Sequence, residues 1–483
     1  VAAEADRTGA AQLAVVGSAA VLLFTLVTAT ACRQAPVDPR PNLLLIMIDN
    51  LRADHLGVYG YERDTSPQID RLGESGIVFE NASATSSWTK PSVASLFTSR
   101  DPSEHNAVSF ARHLAPELPT LAESLQHAGY RTIGVTANFV HVNERWGFDR
   151  GFESWESFSV EAEDEADVVW RYEHQPGEFV PLRAPNAAEV NREVLERLDA
   201  SDARPVFLYV HYMEPHSPYT PNPEQLRQLI GTDRPAAGAF ASNDLLVQIA
   251  RGEIVVDEAQ RQWLIDLYDA EIRSVDAGIG DLLAELTRRG ILGNTVIAVV
   301  SDHGEEFGEH GGWFHALTLH RESLAVPVLF NDARRTRGGQ RRREAVDLVD
   351  VPTTLLALAG VEKPAGMRGR ALLTDRPLEP RDLVAELHED PKFEDYIRPR
   401  RHRFALTRWP WKVIVDRDRS RRFYHADRDV AETAPVSDAA DSSEALTSAI
   451  DALAARLAEK EGDDIEPLDP EAVEGLRALG YAE

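Results

Sequence analysis

Asn42 to Asn50 reads NLLLIMIDN. From Leu43 to Ile48 the run is apolar without a break, and it then stops at an Asp-Asn pair. A strand with one face in water alternates polar and apolar residues. An unbroken run fits a strand buried on both faces, as in a parallel sheet covered by helices. The same texture returns in TIGVTA at 132–137, VFLYV at 206–210, TVIAVV at 295–300 and VPVLF at 326–330. Helical stretches lie between these runs. At 120–128 Thr120 and Glu123 make a capping-box pair and Gly129 supplies the stop. At 263–289 Leu264, Leu267, Ile272, Val275, Ile279, Leu282 and Leu286 recur at spacings near three and four before Gly290. The alternation predicts an α/β fold with a doubly wound, mostly parallel sheet over 42–375. Past 375, RHRFALTRWPWKVIVDRDRSRRFYHADRD reads as short antiparallel strands, a smaller C-terminal α+β subdomain over 376–435. An acidic helical tail follows over 436–483, in which Asp469 and Pro470 start a last helix that Gly480 closes.

The 483 residues are 43% hydrophobic, enough for a large core with an appendage. Formal charge is -28, from 51 basic against 79 acidic residues, which excludes a general affinity for nucleic acid. An anionic substrate therefore needs a local source of positive charge. The single cysteine, Cys32, excludes an intrachain disulfide and a thiolate zinc site.

Residues 9–32, GAAQLAVVGSAAVLLFTLVTATAC, carry no charge and are long enough to cross a bilayer as a helix. Ala29, Thr30 and Ala31 before Cys32 resemble a bacterial lipoprotein processing site, at which Cys32 becomes the lipidated first residue. An uncleaved anchor and an ordinary signal peptide are the other readings. All three place the body outside the cytoplasm, and the expectation is a membrane-anchored periplasmic or cell-surface protein. Residues 1–32 are thus targeting sequence, and 33–41 a Pro-rich linker.

In an open α/β sheet, ligands bind beyond the carboxyl ends of the strands. Three polar sets stand there: Asp49 and Asn50; His211 with Tyr212, Met213, Glu214, Pro215 and His216; and Ser301, Asp302 and His303. Carboxylates with an imidazole and an amide suit a hard or borderline divalent cation. Each residue alone has a plainer reading, an aspartate as a helix cap or a histidine as a solvated loop side chain. Three sets in one relative place favour a site. Beside them lies SSWTKPSVASLFTSR, residues 86–100. Pro91 suits the first turn of a helix whose apolar face is Val93, Leu96 and Phe97, which puts Thr89 at the N-terminus. There the backbone N–H groups favour negative charge, and a cation would favour the deprotonated hydroxyl further. Thr89 is a candidate nucleophile, or else simply the N-cap. Ser92, Ser95, Thr98 and Ser99 read as packing or surface positions.

These segments, with WTKPSVASLFTSRDPSEHN, VFLYVHYMEPHSPY, VIAVVSDHGEEFGEHGG, LVDVPTTLLALAGVEKPAGMRGRALL and LRALGY in order, resemble the sulfatase family of the alkaline phosphatase superfamily from Asn42 onward. The resemblance implies that fold and a metal-dependent hydrolase of sulfate or phosphate esters. By resemblance Asp49, Asn50, Asp302 and His303 hold one divalent metal ion (Ca, Mn or Zn), and a second metal through His310 is an alternative. Thr89 falls at the nucleophile position. His211 would assist at the substrate or leaving group, and His216 and His315 would line the pocket.

The departures carry the mechanism. Usual sulfatases have Cys or Ser at the nucleophile, followed by x-Pro-x-Arg, and oxidise it to formylglycine. This window is Thr89-Lys90-Pro91-Ser92-Val93. The methyl on the threonine β-carbon forbids formylglycine, so none is expected. Val93 replaces the arginine, and Lys90 is either a partial substitute that binds substrate or an exposed helix-start lysine. Ser99 and Asn106 also stand where relatives prefer glycine. Formylglycine releases sulfate through its second hydroxyl, a route threonine lacks, so phosphoester chemistry by double displacement is favoured. The alternatives are a transferase that moves a phospho-headgroup onto an envelope glycan or lipid, and a non-catalytic glycan- or lipid-binding pseudosulfatase.

Overall fold

The computed structural model describes residues 40–163, 168, 170–175, 178–198, 202–231, 242–334, 339–374, 376–390, 402–436 and 444–460. The targeting segment with Cys32, and the last helix expected after Asp469, lie outside these residues. Among the described residues no helix is long and apolar enough to cross a membrane.

Eight strands form the central sheet: β1 (Asn42–Ile48), β2 (Ile77–Ser83), β3 (Arg131–Thr136), β4 (Ser154–Ser157), β5 (Val206–Tyr212), β6 (Thr295–Ser301), β7 (Val328–Asp332) and β8 (Gln340–Asp347). Their order is β8-β2-β7-β6-β1-β5-β3-β4. The run that opens the domain is its centre: Leu43 pairs with Phe207 on one side and Val296 on the other, both parallel. Leu43, Leu45 and Met47 enter one core with Val93, Leu96 and Phe97 of helix α1 (Thr89–Thr98). Leu44, Ile46 and Ile48 enter the opposite core with Leu264, Leu267, Ile272, Val275 and Ile279 of the long helix α3 (Glu258–Arg288). A strand covered by helices on both faces needs apolar side chains in both directions, hence the missing alternation.

The helix expected at 120–128 is α2 (Leu121–His127), with the Thr120–Glu123 capping box in place. VPVLF differs from expectation: β7 starts at Val328 and runs antiparallel to both β6 and β2. The two departures from glycine both sit at left-handed φ, Ser99 at 55° and Asn106 at 69°. Asn tolerates that region. Ser99 is held there by its hydroxyl, which donates to the Val349 carbonyl at 2.7 Å and accepts from Gly369 N at 2.8 Å.

The C-terminal subdomain is antiparallel as expected, in the order β9 (Leu383–Glu386), β10 (His402–Arg408), β11 (Trp411–Asp416) and β12 (Arg421–His425). Helix α4 (Glu444–Lys460) covers it, placing Leu446, Ile450, Leu453 and Leu457 on Phe404, Leu406, Val413 and Val415.

In the turn that leaves β5, burial pushes the Glu214 carboxyl up to about 7. One oxygen accepts from Ala187 N at 3.0 Å and the other has no partner. The folded state therefore holds a proton that the unfolded state releases near its ordinary value of 4.5. Stability from this group is present at low pH and lost as pH rises toward 7, by about 3 kcal/mol at most. Urea midpoints of wild type should thus fall between pH 5 and pH 8, and Glu214→Gln should flatten the fall. An equal slope in the variant excludes Glu214 as a source.

Candidate active site

β1 ends in Asp49, whose backbone N donates to the Tyr212 carbonyl at 3.0 Å, and the chain then turns at Asn50 with φ 61°. Asn50 N donates to Asp302 Oδ1 at 3.0 Å, and its Nδ2 donates to Glu305 Oε2 at 2.6 Å. The latter bond fixes the amide and leaves Asn50 Oδ1 buried without a partner; Asp302 Oδ2 is in the same condition. Buried polar oxygens ordinarily find partners, so two orphans in one cluster point to a missing ligand. His303 Nδ1 donates to the Gly304 carbonyl at 2.9 Å. That fixes the tautomer and leaves the Nε2 lone pair 3.4 Å from Asp302 Oδ2 and 3.6 Å from Asp49 Oδ1.

The ligand atoms of Asp49, Asp302 and His303 all lie within 4.8 Å of one another. Burial, then the facing Asp49 charge, push the Asp302 carboxyl up to about 7. Burial lowers His303 and keeps it in the neutral, ligating form. Asp49 stays below the carboxylate range despite its burial, because His211 bonds it and His216 and His303 face it. Two buried carboxylates, an imidazole and an amide oxygen fit a divalent cation. Among the described residues this is the one such group.

Thr89 is the first residue of α1, and the N-cap is Trp88. Its hydroxyl therefore does not serve as the cap. Thr89 Oγ1 lies 3.4 Å from Asp49 Oδ1 and 3.3 Å from His303 Nε2, at 2% exposure. Four neighbouring hydroxyls are engaged elsewhere: Ser86 with the Glu386 carbonyl, Ser92 with the Ser86 carbonyl, Ser95 with His105 and Thr98 with the Ala94 carbonyl. The Ser87 hydroxyl is buried without a partner, and its carbonyl accepts from Ala316 N.

Lys90 departs from both expectations. It is 0% exposed, with Nζ donating to the Phe110 carbonyl at 3.1 Å and lying 3.5 Å above the Trp146 ring. Burial pulls its ammonium well below the ordinary range. It fastens two covering segments to the start of α1. His211 lies inside β5, fully buried. Its Nε2 meets Asp49 Oδ2 at 3.1 Å, and its Nδ1 meets Tyr209 OH at 3.0 Å. Both nitrogens thus meet protein groups, Asp49 on one side and Tyr209 on the other. His216 is half-buried, and its Nδ1 donates to the Ser217 carbonyl at 2.7 Å. Its ring centroid lies 4.9 Å from that of His315.

His315 lies with its ring 4.6 Å from that of His303, and its Nδ1 lies 3.1 Å from Glu305 Oε1. It is flanked by Phe314 at φ 77° and Ala316 at φ 64°. Two left-handed non-glycine residues around one side chain are a local cost that accompanies functional positions. His310 is not beside the cluster: Nδ1 meets Glu322 Oε1 at 2.5 Å and Nε2 donates to the Glu432 carbonyl at 3.1 Å. A second metal through His310 has no support in this arrangement.

Three site residues escaped the sequence reading. Asn138 follows β3 and donates from Nδ2 to Asp49 Oδ2 at 2.7 Å. Glu305 joins Asn50, His315 and Tyr219, whose hydroxyl donates to Oε2 at 2.9 Å. His141 stands between Trp88 and Phe110, centroids 5.8 and 4.9 Å away. Asn138 had the same signal as Asp49, a polar residue just past a buried strand.

The fold and cluster define a metal-site ester hydrolase of the alkaline phosphatase superfamily. The family model described as Sulfatase matches residues 41–361, and one described as N-sulphoglucosamine sulphohydrolase, C-terminal, matches 308–434. The chain belongs to the sulfatase family. It is 25% identical over 403 residues to an arylsulfatase of Clostridium perfringens, covering 74% of this chain and 81% of that protein. It is 26% identical over 449 residues to the multifunctional alkaline phosphatase superfamily protein PehA of Trinickia caryophylli, covering 80% and 87%. The solved structure of a phosphonate monoester hydrolase of Agrobacterium radiobacter superposes with a TM-score of 0.65 at 19% identity, over 87% of this chain and 96% of that one.

Proposed function

We propose that the protein is a metal-dependent phosphoester hydrolase that works through Thr89 and prefers a singly charged diester. The observation that carries this reading is an unmodified, buried threonine hydroxyl within 3.4 Å of the metal-site residues. A divalent cation held by Asp49, Asn50, Asp302 and His303 supplies Lewis-acid stabilisation of negative oxygen there. Thr89 gives up its proton, which passes through solvent to the free Nε2 of His216, and Oγ1 attacks phosphorus, breaking the bond to the leaving alkoxide. His216, rather than His211, protonates that alkoxide from Nε2, since its Nδ1 is held by the Ser217 carbonyl. Water then displaces Thr89 and restores the hydroxyl. His315, whose ring lies beside those of His303 and His216, contacts the anion's oxygens.

Charge selects the ester. Val93 replaces the arginine, Lys90 is turned to Phe110 and Trp146, and Arg52 is paired with Asp54 and Glu309. A cation bound at Asp49, Asp302 and His303 would then be the main counter-charge, which suits a monoanionic diester better than a dianionic monoester. The phosphonate monoester hydrolase shares this fold with a phosphorus ester as its named substrate class, and the arylsulfatase relationship keeps sulfate esters in the comparison. The test is a panel of bis-aryl phosphate, aryl phosphate and aryl sulfate, each with Ca, Mn and Zn. The diester should exceed the others at least about 10-fold in kcat/KM, near the effect of one charged contact. Fastest turnover of the sulfate would overturn the phosphoester assignment. The extracytoplasmic, membrane-tethered location, with an envelope glycan or lipid as substrate, is proposed on residues 9–32 alone.

A further inference from the structure

Glu432 lies in the C-terminal subdomain, beyond β12, at 5% exposure and φ 53°. Its contacts reach back into the catalytic part of the chain. The Glu432 carbonyl accepts from His310 Nε2 at 3.1 Å. Its Oε2 accepts from His320 Nδ1 at 3.2 Å and from Arg321 N at 3.1 Å. Lys412 Nζ on β11 donates to both carboxylate oxygens, at 2.7 and 2.9 Å. The two histidine rings stack between these anchors, centroids 3.7 Å apart and 5° from parallel. His310 also holds Glu322 through Nδ1.

Segment 310–320 is thus gripped at both ends by one residue from a distant part of the chain. His315 stands at its middle, five residues from each grip. Between the grips, Trp313 and Phe314 pair with Phe307 and Glu306, Thr318 donates to Glu306, Glu305 meets the His315 ring, and the Ser87 carbonyl accepts from the Ala316 N–H. The strained backbone on either side of His315 requires that the surrounding structure determine it fully. We propose that Glu432 is a positioning residue, through which the C-terminal subdomain fixes the loop that presents His315 to the substrate. The inference rests on the reading of His315 as a substrate contact.

A double-mutant cycle tests it on the full chain. Glu432→Gln alone leaves the Lys412 ammonium buried and unpaired, so the charge-balanced pair Lys412→Met/Glu432→Gln is made as well. Kinetics use whichever ester of the panel wild type turns over fastest, which keeps the cycle readable whether that ester is a phosphate or a sulfate. The charge-balanced pair should lower kcat/KM about 10-fold, the range for residues that orient a site from behind. Metal content should stay unchanged. In a His315→Ala background the same pair should cost less than about 2-fold, because the group it acts through is gone. An equal loss in both backgrounds, or no loss in either, overturns the inference. Full activity of His315→Ala overturns the substrate-contact reading and the inference with it.

Discussion

Thr89→Ala should lower kcat at least about 10⁴-fold on the best ester, while Thr89→Ser should stay within about 10-fold of wild type. The first change removes the hydroxyl that lies 3.4 Å from Asp49 Oδ1 and 3.3 Å from His303 Nε2. The second keeps an oxygen at the same place. Helix α1 contributes independently of the side chain, since its first backbone N–H groups favour an anion at Thr89 whichever residue stands there. Residual activity in the alanine variant therefore measures what the cation and helix do for direct water attack. A quenched reaction should show Thr89 carrying a phosphoryl group, told from a sulfuryl group by accurate mass. An alanine variant with near-wild-type turnover removes Thr89 from the chemistry. A sulfuryl adduct keeps Thr89 but replaces the phosphoester reading.

The centre of the sheet was legible because its composition follows from its surroundings: β1, β5 and β6 are covered on both faces, so they must be apolar on both. β2, IVFENAS, and β8, QRRREAVD, were not, because β8 is an edge strand and exposed or half-exposed from Arg341 to Glu344. The direction of β7 is not encoded in VPVLF, since orientation depends on which neighbour it reaches. At the site, Asp49, Asp302 and His303 follow recognisable strands and were found. The place of His211 was decided by a strand boundary. The apolar run VFLYV ends at Val210, but β5 continues to Tyr212. Two residues of extra strand move His211 from the loop into the sheet and leave His216 as the histidine beyond it. Lys90 was misread. Its burial is made by Phe110 and Trp146, which no local pattern around residue 90 connects to it.

A divalent cation should raise the unfolding midpoint of wild type, and Asp302→Asn should abolish that rise while making the metal-free protein more stable at pH 8. The two halves have one cause. Asp49 and Asp302 are both fully buried, and each raises the cost of charge on the other. Without a cation, the folded state at pH 8 carries that repulsion, whereas the unfolded chain does not. Removing one carboxylate relieves it, by roughly 1–3 kcal/mol once water penetration is allowed for. With a cation at about 100 times its Kd, wild type should gain about 2.7 kcal/mol by mass action, and the variant, short of a ligand, almost none. Turnover in the variant should fall at least about 10³-fold, so the more stable metal-free protein is also the less active one. Calorimetry on both proteins, with chelator and with each of Ca, Mn and Zn, separates the cases. If Asp302→Asn is destabilised without metal and still gains as much from the cation as wild type, the two carboxylates are a structural pair and the metal lies elsewhere.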